Sequence, residues 1–474
     1  MSLVRLAKIA CMVAMFCVAG VLAPAQTFTT IGNLPKNLDH MTQLIQGEDG
    51  NLLGTNSGGG APYGVGVILR ISVNGQGNLI YQFCLRSNCP DGEFPEGLYQ
   101  APGGMMYGLT DEGGASGNGA LFQLSPSGKE TVLYSFCSQA NCADGMNPSS
   151  APVPSLQGGL LGTASGEGTN GQGTLFEVLP TGEFAALYSF CAQANCTDGA
   201  IPSTSPIQTP NGNIYGTTQS GGTYASGIMY ALTPEGQFFN VYSFLAHTPG
   251  FSALPKLILG ADGNFYGVTQ HGGAPTDDGT VFKINPELAF TNLYNFCPKT
   301  SCVHGAAPVG LIQGSDGNLY GITQLGGNES NTGTIFKITP QGALTTLYAF
   351  CQQSKCLDGQ DPLSLMQDTN GTFYGTAGGG GTLGGGTVFS LSLGLAPFVQ
   401  TNPGFGKVGA EIGILGNNLT GTTSVTFHGV TAAFTVVSDS YITATVPAGA
   451  TSGAIKVTTP SGTLASNFPF QVLP

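Results

Sequence analysis

Residues 311–364 read LIQGSDGNLYGITQLGGNESNTGTIFKITPQGALTTLYAFCQQSKCLDGQDPLS. The stretch parses into four short strands. An apolar start (Leu311-Ile312-Gln313) meets an Asp-Gly turn and continues as NLYGIT. A Gly-rich loop follows, then GTIFKIT, a Pro-x-Gly turn and LTTLYAF. Asp-Gly and Asn-Gly between alternating segments are hairpin signals, because both central residues of that turn take positive φ. The glycine after an aromatic residue or leucine recurs at Gly54, Gly108, Gly162, Gly216, Gly267, Gly321 and Gly375, in steps of 54, 54, 54, 51, 54 and 54 residues. Four antiparallel strands in each repeat of this length predict the blades of a β-propeller, and seven copies predict seven blades.

The ends of the repeat array predict closure. The seventh copy stops after its third strand, GGTVFSLSL, near Leu393, while TFTTIGNL (Thr27 to Leu34) matches ALTTLYAF in pattern. An N-terminal strand that completes the last blade would remove two open edges. An open solenoid is the alternative, and it has no need of the permuted strand. The recurrent glycine is expected to admit close approach of neighbouring backbone. Tyr134/Phe136, Tyr188/Phe190 and Tyr348/Phe350 each share a strand face, as core between blades or as ligand platforms.

Of 474 residues, 75 are Gly, 41% are apolar, only 8% are charged and none is Trp. Disorder needs the opposite balance of hydrophobicity and charge. Residues 1–25 read as a signal peptide. Arg5 and Lys8 precede an apolar run from Ile9 to Leu22, and Ala23-Pro24-Ala25 is an A-x-A cleavage site. The run falls short of the roughly 20 residues of a membrane helix, so no membrane span is expected after cleavage. Losing Arg5 and Lys8 takes the net charge from −13 to −15. A chain that acidic repels phosphate backbones, which excludes nucleic acid as a partner.

Ten cysteines remain beyond residue 25, in one spacing: Cys84/Cys89, Cys137/Cys142, Cys191/Cys196, Cys297/Cys302 and Cys351/Cys356. Regular, even-numbered cysteines in an exported chain read as disulfides. The fourth repeat has FLAHTPGF instead and lacks both cysteines together, as a bond requires. Zinc is the rival, but each pair would need two further ligands, and the five histidines are scattered. No metal and no cofactor is expected.

The phrase GSDGNLYGITQLGG…GTIFKITPQGALTTLYAF closely resembles the GloVer (Gloeo/Verruco) tandem repeat of exported bacterial proteins, over roughly residues 28 to 393. The resemblance implies a secreted or surface repeat protein without established catalytic residues. Residues 397–472 change character: short strands alternate with Gly, Asn and Pro turns, which argues a small β-sandwich. Pro403-Gly404, Gly409, Gly416-Asn417-Asn418-Leu419, Val425-Thr426-Phe427 and Phe470 resemble the IPT/TIG domain, an immunoglobulin-like fold. That resemblance implies a spacer or adhesive module. The expected layout is signal peptide 1–25, propeller 26–393, linker 394–396 and immunoglobulin-like domain 397–474.

Candidate site residues fall on one propeller face. The Cys loops end in Asp-Gly at Asp91, Asp144, Asp198 and Asp358, with His304 in the equivalent place. These side chains form a partial ring of ligands or simply turn the chain. The loops between the second and third strands carry Gln219, Gln270, His271 and Gln324, with Asp111, Glu112, Asp277 and Asp278. Acid/base catalysis needs carboxylates opposed across a substrate, and adjacent Asp277 and Asp278 point apart. There is no G-x-S-x-G. G-x-G-x-x-G at Gly166–Gly171 leads into a strand, not a helix. The expected product is a monomeric, secreted or cell-surface binding module for an extracellular protein or polysaccharide, with the periplasm as a further address. A structural envelope or matrix role, and a hydrolase or lyase acting at the propeller axis, are the alternatives.

Overall fold

The computed structural model describes residues 26–474 apart from 39, 42, 61–63, 203, 246–255, 274 and 299–301. The signal peptide expected over residues 1–25, and most of the cysteine-free loop of the fourth repeat, lie outside the described residues. The fold is all-β, with four single-turn 3₁₀ segments as its described helical pieces.

The described residues before 393 form seven antiparallel sheets, each written here in chain order of its strands. Sheet 1 is Gln43–Gln46, Leu52–Asn56, Val67–Ile71 and Gly77–Gln82; sheet 2 is Glu93–Gln100, Met106–Glu112, Ala120–Leu124 and Glu130–Ser135. In sheets 3 and 4 the first strand is split, as Met146–Pro148 with Val153–Pro154, and Ala200–Pro202 with Ile207–Gln208. Sheet 3 continues with Leu160–Gly166, Thr174–Val178 and Phe184–Ser189, and sheet 4 with Ile214–Ser220, Ile228–Leu232 and Phe238–Ser243. Sheet 5 is Lys256–Leu259, Phe265–Thr269, Thr280–Ile284 and Phe290–Asn295; sheet 6 is Ala306–Gln313, Leu319–Leu325, Thr334–Ile338 and Leu344–Ala349. Sheet 7 is Gln360–Gln367, Phe373–Gly379 and Gly384–Ser392, completed by Thr27–Pro35 from the other end of the chain.

The N-terminal strand pairs with Gly384–Ser392 from Thr27↔Ser392 to Pro35↔Gly384. Its Phe28 stacks on Tyr348 with centroids 3.7 Å apart. The same stack joins Tyr134 to Phe184, Tyr188 to Phe238 and Tyr242 to Phe290 between consecutive sheets. Thr27–Pro35 therefore does for sheet 7 what a fourth strand does elsewhere. Each sheet packs through its first strand against the second strand of the sheet before it, and sheet 1 packs in the same way against sheet 7.

Aromatic residues fill the space between sheets. Phe136, fully buried, meets Phe176 of the next sheet at 4.9 Å; Phe296 meets Phe336 at 5.2 Å and Phe350 meets Phe389 at 5.3 Å. Beneath each such third-strand ring lies the recurrent glycine. A Cβ on Gly321 would stand 2.3 Å from Cζ of Phe336 and 2.6 Å from the carbonyl oxygen of Gly310. The expected backbone neighbour is present, and the ring of the same sheet is closer still. Gly267 under Phe282 and Gly375 under Phe389 repeat the arrangement.

The first strands run further than the apolar start suggests. That of sheet 6 begins at Ala306, and a register shift between Pro308 and Gly310 lets the chain continue despite the proline. Residues from Val399 onward make two four-stranded sheets and a two-stranded parallel pair, which enclose Ile412, Ile414, Val425, Phe427, Ile442, Ile455, Val457 and Phe470. The joining Leu393 and Leu395 pack against the cluster between sheets 6 and 7.

Candidate functional site

Strand direction puts the Cys loops and the loops between second and third strands at one end of every sheet. They are bonded to each other: the N–H groups of Gly114, Gly168, Gly222, Gly327 and Gly381 donate to the carbonyls of Cys89, Cys142, Cys196, Cys302 and Cys356. All five expected cysteine pairs are disulfides, with Cα separations of 4.0 to 4.4 Å. Closing so short a loop stabilises the fold by about 2 kcal/mol on loop entropy alone. Replacing Cys137 and Cys142 together by Ser is expected to lower the unfolding free energy by about that amount, measured by denaturant titration; an unchanged midpoint would show the loop is held without its bond.

The four Asp-Gly aspartates are buried, at 0 to 3% exposure. Tyr134, Tyr188 and Tyr348 donate their hydroxyls to Asp144, Asp198 and Asp358 at 2.7 Å, and Tyr81 to Asp91 at 2.8 Å. Backbone N–H groups of the same loop occupy the remaining lone pairs: Ser138 and Gln139 on Asp144, Ala192 and Gln193 on Asp198, Gln352 and Gln353 on Asp358. These carboxylates clamp their own loops, which is the turn role and not a solvent-facing ring. Burial opposes ionisation of Asp144, but the bonds from Tyr134, Ser138 and Gln139 outweigh it and hold its pKa below the ordinary value.

A depressed folded-state pKa adds stability that is present above the unfolded value near 3.8 and is lost as pH falls through the folded one. The wild-type unfolding midpoint is therefore expected to drop below about pH 4, and Asp144→Asn to lose less over that interval. An equal acid loss in the two proteins would remove Asp144 from the account.

His304 replaces the aspartate in its loop and is exposed, with Nδ1 2.9 Å from Oγ1 of Thr346. Gln270 and Gln324 are brought together, Nε2 donating to Oε1 at 2.9 Å, whereas half-buried Gln219 and His271 lie on other strands and loops of this end. Asp277 adopts φ +64° and accepts the N–H of Gly272 at 2.8 Å, so it shapes its own loop.

Two features escaped the repeat pattern. Apolar side chains stand exposed on this same end: Leu85, Tyr224, Val303, Leu325, Leu357 and Leu383 are 38 to 66% accessible. At the opposite end, glutamines finish five first strands and reach to the preceding sheet. Gln46, Gln100, Gln208, Gln313 and Gln367 accept the N–H groups of Thr369, Glu48, Leu156, Ala261 and Ser315 at 2.7 to 3.0 Å. The equivalent positions in sheets 3 and 5 hold Pro154 and Leu259, and there the would-be donors are Pro102 and Pro210. Proline has no N–H to give, so donor and acceptor are lost together.

The C-terminal domain sits over this glutamine-bearing end. Ser440 donates to the Glu48 carbonyl at 2.6 Å, Asn417 to Thr369 Oγ1 at 2.6 Å, and Asn402 to the Gln100 carbonyl. Between them lies a cavity of about 370 Å³, walled by Ile45, Tyr99, Ile258, Ile312 and Met366 of five first strands and closed by residues that include Phe468. Its size falls within the range of small-ligand sites.

The family model described as Gloeobacter/Verrucomicrobia repeat matches residues 39–248 and 155–389, and the IPT/TIG domain model matches 399–472. No curated protein matches the chain. Among solved structures, the extracellular domain of a protein described as a hybrid two-component system from B. thetaiotaomicron is 14% identical with a TM-score of 0.52; the match covers 91% of this chain and 53% of that one. This chain thus spans about half the length of that domain. An auxiliary nutrient binding protein from Bacteroides ovatus is 12% identical with a TM-score of 0.41, over 77% of this chain and 76% of that one. Among the described residues, no helix is long and apolar enough to cross a membrane. With the repeat model spanning residues 39–389 and its strands recurring sheet after sheet, the chain belongs to the Gloeobacter/Verrucomicrobia repeat family and carries a C-terminal IPT/TIG domain.

Proposed function

We propose that the seven sheets form a closed seven-bladed propeller over residues 26–393, joined through 394–396 to the immunoglobulin-like domain at 397–474. The exported, monomeric product acts as a non-catalytic binding module. Its disulfide-bearing end meets an extracellular protein or polysaccharide, and the C-terminal domain serves as spacer. The observation that carries this reading is the set of exposed apolar side chains on stiff, cross-linked loops. Leu85, Tyr224, Val303, Leu357 and Leu383 gather at one end, while the other end is occupied by the C-terminal domain. Exposed apolar groups gathered on one face mark interaction surfaces, and loops already ordered lose little entropy on binding. Gln219, Gln270, His271, His304 and Gln324 supply polar contacts around them.

The test presents purified mature protein to polysaccharides and to extracellular proteins of the producing cell, with products assayed in the same wells. Saturable retention without product is expected, and Leu85→Glu combined with Val303→Glu is expected to weaken it at least tenfold. Product release, or retention indifferent to the double variant, would overturn the reading.

A further inference from the structure

Two charged side chains lie where the repeat elsewhere carries uncharged residues. Side chains two apart on a strand share a face, so Lys256 lies on the face of Ile258, one step from the cavity toward the Cys-loop end. The equivalent positions in sheets 2, 6 and 7 hold Gly97, Gly310 and Ser364. Glu96 occupies the register shift between Pro95 and Gly97 in the first strand of sheet 2, where sheets 6 and 7 place Val309 and Leu363. Lys256 is open to solvent yet surrounded by protein, as a group lining a channel is.

The two groups act on each other electrostatically without forming an ion pair among the described residues. Burial depresses the Lys256 ammonium, and Glu96 partly offsets that. Burial also pushes Glu96 up to about 7; Asp111 adds to the rise, and Lys256 and His40 oppose it. Among the described residues Lys256 forms no ion pair, and a partly desolvated ammonium gains from a counter-ion. An anion brought in from solvent would supply one, and a protonated Glu96 can donate a hydrogen bond to it. Further along the strand face of Lys256, Ile258 joins Leu44, Ile45, Leu98, Ile312 and Met366 in lining the cavity. The glutamines at its rim are already bonded to backbone, so the floor offers an incoming group mainly apolar contact.

We propose that this enclosure binds a carboxylate-bearing amphiphile, its carboxylate held between Lys256 and Glu96 and its apolar body in the Ile258–Ile312–Met366 floor closed by Phe468. The site is distinct from the loop surface at the disulfide-bearing end and stands or falls independently of it.

Isothermal titration of the full mature chain with octanoate, octan-1-ol and octylammonium at pH 6.5 tests this. Octanoate is expected to bind one to one and at least tenfold more tightly than either relative. Lys256→Met is expected to weaken octanoate at least tenfold while leaving the unfolding midpoint in place. Ile312→Asp, placed in the floor, should weaken octanoate and octanol alike. Equal affinity for octanoate and octylammonium, octanoate binding unchanged in Lys256→Met, or no octanoate binding at millimolar concentration would each overturn the proposal. Should Lys256→Met shift the midpoint, Lys256→Arg decides the matter: it keeps the charge and must retain octanoate binding.

Discussion

Deletion of residues 26–35 is expected to abolish the single cooperative unfolding transition of the repeat region. The strand Thr27–Pro35 supplies the fourth member of sheet 7 and covers Gly384–Ser392, which would otherwise present a bare edge. It also brings Phe28 onto Tyr348 and Phe389, and Leu34 into the core between sheets 7 and 1. Losing those two side chains alone removes roughly 5 kcal/mol, a large part of the stability of an ordinary domain. The deletion also strips the Thr382 N–H of its acceptor, Oδ1 of Asn33 at 2.8 Å. Calorimetry of the truncated chain should show a broad, early transition for the repeats, while the C-terminal sandwich, with its own core, melts separately. A truncated protein with the wild-type midpoint would mean the terminal strand merely decorates sheet 7.

A second large effect is expected from one methyl group. Gly321→Ala places a Cβ 2.3 Å from the Phe336 ring, and that ring is already wedged against Phe296. Neither can retreat into a packed interior, so the substitution should cost about 3 kcal/mol. Gly77→Ala is the matched control, since nothing lies within 4 Å of a Cβ there; it should change stability by no more than about 0.5 kcal/mol. Denaturant midpoints of the two variants decide the matter, and equal shifts would show that the recurrent glycine is a matter of chain flexibility and not of the ring above it.

The repeat spacing was readable because turns advertise themselves: Asp-Gly, Asn-Gly and Pro-x-Gly mark where hairpins reverse, and the aromatic pairs mark the buried face between them. The terminal strand was readable too, since TFTTIGNL shares its pattern with LTTLYAF. The first strands extend beyond their apolar segments without a sequence signal, because Ala306-Ala307-Pro308-Val309-Gly310 has none of the alternation that a strand on a sheet face usually shows. The Asp-Gly aspartates suit either ligand or turn on sequence, the turn more readily. Only the partner ten residues earlier, Tyr134 for Asp144 or Tyr188 for Asp198, separates the two, and that pairing is invisible until the loop folds back. The glutamines do carry a signal in the sequence. Each lies eight residues before the recurrent glycine, and where it is missing the preceding repeat carries proline six residues before its own. That correlation crosses repeats, so a scan for similarity at matched positions passes over it. The docking of the C-terminal domain on Glu48 and Thr369 rests on single polar contacts without any repeated pattern.

The paired prolines have a mechanical consequence. Wherever a glutamine grips the preceding sheet, neighbouring units are sewn together at the end nearest the C-terminal domain; at Pro102/Pro154 and Pro210/Leu259 the thread is missing. These two seams divide the assembly into a short arc of sheets 3 and 4 and a long arc running from sheet 5 through 7 to sheets 1 and 2. Breathing motions, proteolytic nicks and exchange of sheltered amide protons will start at the seams, and the two arcs will part there as intact pieces before any single sheet frays.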